Sequence, residues 1–186
     1  MYRKKSLLIA AAVLFGLLGC QSRTDRTDSG GVLLSVTQLD MPPTQFVIHN
    51  LQTNGNLLPA ISTVTLQNVV ADPSAASTSQ LENIELRSYE VIYTRADTGT
   101  RVPPPLVEPI GGVVPVNGTD TITNLGVIRN NQYTSPPISD IVNFGVDRET
   151  NSQIIVLNLS IRFYGRTLSG KEVVSAPTGF TMEVFQ

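Results

Sequence analysis

Apolar and polar residues alternate most strictly in IVLNLSIRF, where Ile155, Leu157, Leu159, Ile161 and Phe163 interleave with Asn158, Ser160 and Arg162. A period of two over nine residues predicts a strand with one buried face. TLSGKE follows as a turn, with Gly170 placed to take positive φ, and VVSA returns as the hairpin partner. GFTMEVF predicts a last strand, alternating Phe180, Met182 and Val184 with Thr181 and Glu183.

Upstream, STVTLQNVV (Ser62 to Val70) predicts a strand with Val64 and Leu66 inward. NIELRSYEVIYTR (Asn83 to Arg95) is longer and changes phase. Ile84 and Leu86 are even-numbered, whereas Tyr89, Val91 and Tyr93 are odd, which predicts a β-bulge near Arg87 and Ser88. ADTGT makes the next turn, with Gly99 expected at its positive-φ position. Weaker strands are expected near Val32 to Gln38, Phe46 to His49, Val113 to Val116 and Thr121 to Ile128.

No stretch after residue 31 carries a sustained helical repeat with caps, and twelve prolines and fourteen glycines punctuate the chain. Seven to nine short strands with turn-rich connections predict an all-β fold, a β-sandwich of Greek-key or immunoglobulin-like type. A closed barrel is the alternative. The aperiodic VPPPLVEP argues for an open-edged sandwich with long loops.

The N-terminus has a different pattern. Arg3, Lys4 and Lys5 precede thirteen uncharged residues, Ser6 to Leu18, almost all apolar. As a helix that stretch spans about 20 Å, short of the roughly 30 Å hydrocarbon core of a bilayer. Charge, a short apolar run and then small residues is the layout of a secretory signal peptide. The usual small residue is missing at Leu17, however, and the run closes on Leu17-Leu18-Gly19-Cys20.

That tetrapeptide resembles the lipobox of bacterial lipoproteins, with Leu18 departing slightly from the small residue preferred there. The resemblance implies a diacylglyceryl thioether on Cys20, cleavage just before it and acylation of the new amine. A single acyl chain anchors only marginally, so several on one residue would hold the protein durably. An ordinary buried Cys in a core helix is the alternative, opposed by the polar residues that follow so closely. Gln21 after the Cys implies sorting to the outer membrane in a Gram-negative cell. The expected organisation is a signal peptide over 1–19, a lipidated Cys and tether over 20–31, and one domain over 32–186.

Gln21 to Gly31, QSRTDRTDSGG, has no aliphatic or aromatic residue and reads as a coil tether with an r.m.s. reach of about 18 Å. SYEVIYTRADTG and IRFYGRTLSGKEV resemble, over roughly residues 60 to 186, uncharacterised bacterial lipoproteins with an immunoglobulin-like domain. That resemblance implies a fold and an address and transfers no catalytic residues.

Charge and composition narrow the chemistry. The three N-terminal basic residues are among thirteen Lys and Arg, and all fifteen Asp and Glu lie beyond them, leaving a net charge of −5 after cleavage. A mildly acidic domain is a poor partner for nucleic acid, and for electrostatic adhesion to anionic lipid. Acylation of Cys20 leaves no thiol for a disulfide, a metal or catalysis. His49 is the one histidine, no Gly-x-Ser-x-Gly elbow accompanies it, and a strand-end histidine bonded to backbone or water is its expected role. Lys171, the sole lysine after cleavage, sits in a turn where it stays solvated.

Carboxylate pairs are harder to dismiss, since glycosidase chemistry needs only two acids suitably spaced. Asp97, Asp120, Asp140, Asp147 and Glu149 all fall in expected loops. VDRETN and NGTDT hold oxygen ligands for Ca²⁺ without EF-hand spacing. RVPPPLVEPIGG, with Pro103, Pro104 and Pro105, reads as a pre-ordered polyproline-II loop, and QYTSPPISD, with Tyr133, as a smaller one. Both are candidate protein-contact loops, against the plainer role of rigid connections that guard sheet edges. Tyr89, Tyr93 and Tyr164 are expected in core or sheet-face packing. The reading that follows is a non-enzymatic, cofactor-free envelope lipoprotein, anchored in the bilayer through Cys20 and contacting an envelope protein. A ligand-binding or carboxylate-dependent enzyme domain is the alternative.

Overall fold

The computed structural model describes residues 31–40, 42–48, 58–71 and 79–186. Cys20 and His49 lie outside them. Ten strands are present among the described residues: β1 (Val32–Asp40), β2 (Gln45–Val47), β3 (Ala60–Val70), β4 (Ile84–Arg95), β5 (Leu106–Pro109), β6 (Val113–Val114), β7 (Thr119–Gly126), β8 (Ile154–Thr167), β9 (Glu172–Val174) and β10 (Thr178–Phe185). The pattern predicted seven to nine. The unexpected one is β5: Leu106–Pro109 pairs with β4, so the second half of RVPPPLVEPIGG is a short strand rather than a polyproline-II loop, and four residues are too few to alternate visibly.

The strands form two sheets, ordered β1-β3-β7 and β2-β10-β8-β4-β5, with β6 pairing β4 and β9 pairing β8. Neither order closes on itself. Every pairing is antiparallel except β2 with β10. One core lies between the sheets: Val64 and Leu66 of β3 face Tyr89, Val91 and Tyr93 of β4 and Leu157, Leu159, Ile161 and Phe163 of β8, all buried. The two tyrosines keep their hydroxyls satisfied across the gap. Tyr89 donates to the carbonyl of Gly126 at 2.7 Å and Tyr93 to that of Val127 at 2.6 Å. Burial pushes both phenols up. Tyr164 lies on the outer face, where its hydroxyl donates to Glu90 at 2.6 Å.

The phase change in β4 is a real bulge. Leu86 pairs with Gly165 and Ser88 with Tyr164, leaving Arg87 without a register partner. Gly170 has φ 96° in the turn that carries β8 into β9, as the hairpin requires. Gly99 differs from expectation, because it is absent from the positive-φ positions. Its constraint is space: a Cβ there would overlap the Arg95 guanidinium.

A second difference is helical. QYTSPPISD is not the extended proline loop that its sequence predicts: it lies across two short helices, α1 (Asn130–Tyr133) and α2 (Ile138–Phe144). Ile138 and Ile141 of α2 are buried, and Gly145, at φ 72°, ends it with its N–H on the carbonyl of Ile141. One or two helical turns present too few apolar positions to register as a period.

β4 fixes the long axis. Its twelve residues span about 36 Å. At the Ile84 end lie Gly31, where the first described segment begins, a 3-10 turn over Gln80–Glu82, and the β8–β9 turn. At the Arg95 end lie α1, α2 and the loops on either side of β8's start.

Candidate functional site

β4 ends on Arg95 and the chain turns through Ala96–Thr100 into the proline segment; on the other side α2 leads through Gly145–Gln153 into β8. These two connections are far apart in sequence and are joined by charge. Arg95 grips Asp97 with two parallel bonds, Nε to Oδ1 at 2.6 Å and Nη2 to Oδ2 at 2.9 Å. The same Nη2 reaches Asp147 Oδ2 at 3.0 Å. Arg101 reaches the other Asp147 oxygen at 3.1 Å, binds Asp140 of α2, and stands 3.7 Å from Glu149. Four carboxylates thus share two guanidiniums.

Asp147 is the hub. Its side chain is 0% exposed, that of Arg95 only 3%. Beyond the two arginines, its oxygens accept from the Thr150 hydroxyl at 2.8 Å and the Glu149 N–H at 3.2 Å. Burial pushes its carboxyl up, and the bonds from Thr150, Arg95 and the Glu149 backbone outweigh that and hold it low. Burial likewise acts upward on Asp97, but Arg95 and the N–H groups of Val156 and Gly99 hold it down at about 2. Glu149 is held low chiefly by the Thr100 hydroxyl and by the Arg101 and Thr100 backbone N–H groups.

Of the five loop acids singled out from sequence, four converge. Asp97, Asp147 and Glu149 stand in connections as expected, whereas Asp140 stands in α2, half a turn into a helix the pattern did not predict. Asp120 is apart from them: it lies in β7, in the half that begins at the opposite end of the domain, and accepts from the Thr121 N–H. VDRETN and NGTDT therefore do not form one site. Among the described residues no group of three or more His, Cys, Asp or Glu stands ready to hold a metal, and the oxygens that do converge are already engaged by guanidinium, hydroxyl and backbone N–H groups.

The candidate contact residues are gathered on the same end by a side chain that sequence reasoning passed over. Gln132, in α1 and buried, donates to the carbonyls of Pro104 at 3.2 Å and Pro105 at 3.3 Å while its oxygen accepts from the Arg129 N–H. It staples the proline segment to α1, beside Tyr133. Pro103 is buried, Pro104 and Tyr133 half-buried, and Pro105 exposed, so the outward surface of this segment is Pro105 with Val102 and Val107. Pro105 also precedes β5, the outermost strand of its sheet, and Pro109 ends it; a missing N–H there discourages further pairing. Nearby, the Arg148 guanidinium lies 5.0 Å from the Phe144 ring centroid.

The arrangement is a clasp. Charge-assisted bonds hold two long connections and α2 in one geometry at one end of the sheets, and the Gln132 amide ties α1 to them. The partners of the acids, Arg95 and Arg101, carry a faint sequence signal, since Arg-x-Asp at a strand end can close on itself. Nothing local points to Asp147, which is 52 residues from Arg95 and 46 from Arg101.

No family model matches the chain, and no curated protein matches it. Among solved structures, the X-ray structure of Northeast Structural Genomics Consortium target SoR45 is similar over 83% of this chain and 87% of that one, at 9% identity and a TM-score of 0.36. A likeness that distant carries no argument about fold or function.

Proposed function

We propose that this chain is a lipid-anchored envelope lipoprotein whose single β-domain is of immunoglobulin-like Greek-key type and works by protein contact rather than catalysis. The observation that carries the reading is the register of Leu17-Leu18-Gly19-Cys20 behind a basic and then apolar leader. In a Gram-negative cell, Gln21 sends the acylated protein to the outer membrane. The strand order supports the finer fold: β1-β3-β7 faces β2-β10-β8-β4-β5, and the chain crosses between the sheets from β1 to β2, β2 to β3, β3 to β4, β6 to β7 and β7 to β8.

The clasp supports the non-enzymatic half of the reading. A general acid at neutral pH needs a carboxyl held above its usual range. Asp97, Asp147 and Glu149 are all held below it, by bonds that would also have to break before any of them met a substrate. A fixed surface of loops at the end remote from Gly31 suits recognition of another envelope protein. The alternative, a ligand-binding or carboxylate-dependent enzyme domain, draws on the same convergence of four acids.

Processing tests the anchor. Globomycin should block maturation and palmitate should label the wild type, and a Cys20→Ser form that still takes label and stays in membranes overturns the claim. Crosslinking in intact envelopes from Thr98→Cys, on the clasp face, tests the contact. An adduct with one envelope protein supports it, and a substrate turned over by the wild type and lost in Asp140→Asn would favour the alternative.

A further inference from the structure

Leu81 in the 3-10 turn and Leu168 in the β8–β9 turn are 59% and 52% exposed. Backbone bonds set them side by side: the Leu168 N–H donates to the Asn83 carbonyl at 3.0 Å and the Ser169 N–H to that of Leu81 at 2.9 Å. Gly31 adjoins the same turn, since a Cβ on it would stand 3.7 Å from Glu82 Oε1, and its carbonyl accepts from the Ala71 N–H. Leu33 and Val69, paired across β1 and β3 next to this end, are exposed as well. Lys171 is exposed in the same hairpin.

This apolar tip is where the chain enters the domain. Ten residues, Gln21 to Gly30, separate Cys20 from Gly31. The coil tether that their composition predicts has an r.m.s. reach of about 18 Å, about half the length of β4. An acylated Cys20 therefore keeps the Gly31 end, and with it both leucines, close to the membrane surface, while the clasp lies a strand's length farther out. Leucines that protrude into water gain by entering the boundary between headgroups and acyl chains, and a lysine beside them keeps its ammonium among the headgroups.

We propose that the Leu81–Leu168 tip docks on the lipid bilayer, so that the domain stands upright with the clasp facing away from the membrane. The inference rests on the lipoprotein reading of Cys20, and the test separates the two. The full-length protein is purified from membranes with detergent and reconstituted into vesicles of phosphatidylethanolamine and phosphatidylglycerol carrying doxyl-labelled lipid. A fluorophore is placed through Leu81→Cys, Leu168→Cys or Thr98→Cys, one at a time; acylation of Cys20 leaves no competing thiol.

Docking predicts at least a twofold loss of fluorescence at positions 81 and 168, and none at 98. Equal quenching at all three positions, or none at 81 and 168, overturns it. The mass of the N-terminal peptide is read on the same preparation. An acylated peptide with an unquenched tip defeats docking alone, whereas a free thiol at Cys20 defeats the anchor beneath it. Quenching absent in vesicles, with the tip crosslinking to a protein in envelopes, also overturns the bilayer as occupant.

Discussion

Replacing Asp147 by Ala removes four acceptor contacts from a side chain that water does not reach. Arg95, 3% exposed, is left with Asp97 as its one carboxylate partner among the described residues, and Arg101 keeps Asp140 and Glu149. Breaking a buried pair by deleting one partner costs about 3–5 kcal/mol, because the remaining charge stays desolvated. Against a total stability on the order of 5–15 kcal/mol that is a large share. For a domain of this size it corresponds to a fall in Tm of roughly 10 °C. The assay is urea unfolding followed by far-ultraviolet circular dichroism, with the midpoint lowered and the slope unchanged. Glu85→Ala is the control, since Glu85 and Arg87 stand 3.9 Å apart and half exposed, and such a pair is worth about 0–1 kcal/mol. A loss for Asp147→Ala no greater than that of the control would refute the clasp.

Three other expectations follow from the same geometry. Asp97 is depressed to about 2 from an ordinary value near 3.8, so its stabilisation is fully present above about pH 4 and is lost as pH falls towards 2; urea midpoints measured from pH 7 to pH 2 should fall less steeply for Asp97→Asn than for wild type. Gly99→Ala pushes a methyl into the Arg95 guanidinium and should cost about 1–3 kcal/mol, with a sub-additive double mutant alongside Asp147→Ala because both act through one arginine. Tyr93→Phe strands the Val127 carbonyl and should cost about 1–2 kcal/mol in the same unfolding assay, with no loss of strand signal in the native spectrum.

What sequence can carry is local, and the strands show it. In β8 and β4 the alternation of Leu157, Leu159 and Ile161, and the slip between Leu86 and Tyr89, encode which face is buried and where the ladder breaks. The same logic fails at α1 and α2, where a helix of four or seven residues shows no repeat, although Pro137 before Ile138 and Gly145 after Phe144 are a start and a stop. It fails again for Gly99, since a turn glycine read as a φ requirement is in fact a clearance above Arg95. The candidate site was half legible. Its acids are each visible in the sequence, but Asp140 and Asp147 stand 39 and 46 positions from Arg101, and no spacing rule reaches that far.

The register of β1 also bears on mechanics. β1 lies antiparallel to β3 from Val32 opposite Val70 to Asp40 opposite Thr63. A tension applied at Gly31 along the strand, with the Arg95 end held by a bound partner, pulls β1 lengthwise against β3. In that geometry the rungs of the ladder are strained together, whereas a pull from the side would peel them apart one after another. A domain pulled between these two ends would thus meet the load in its most resistant direction.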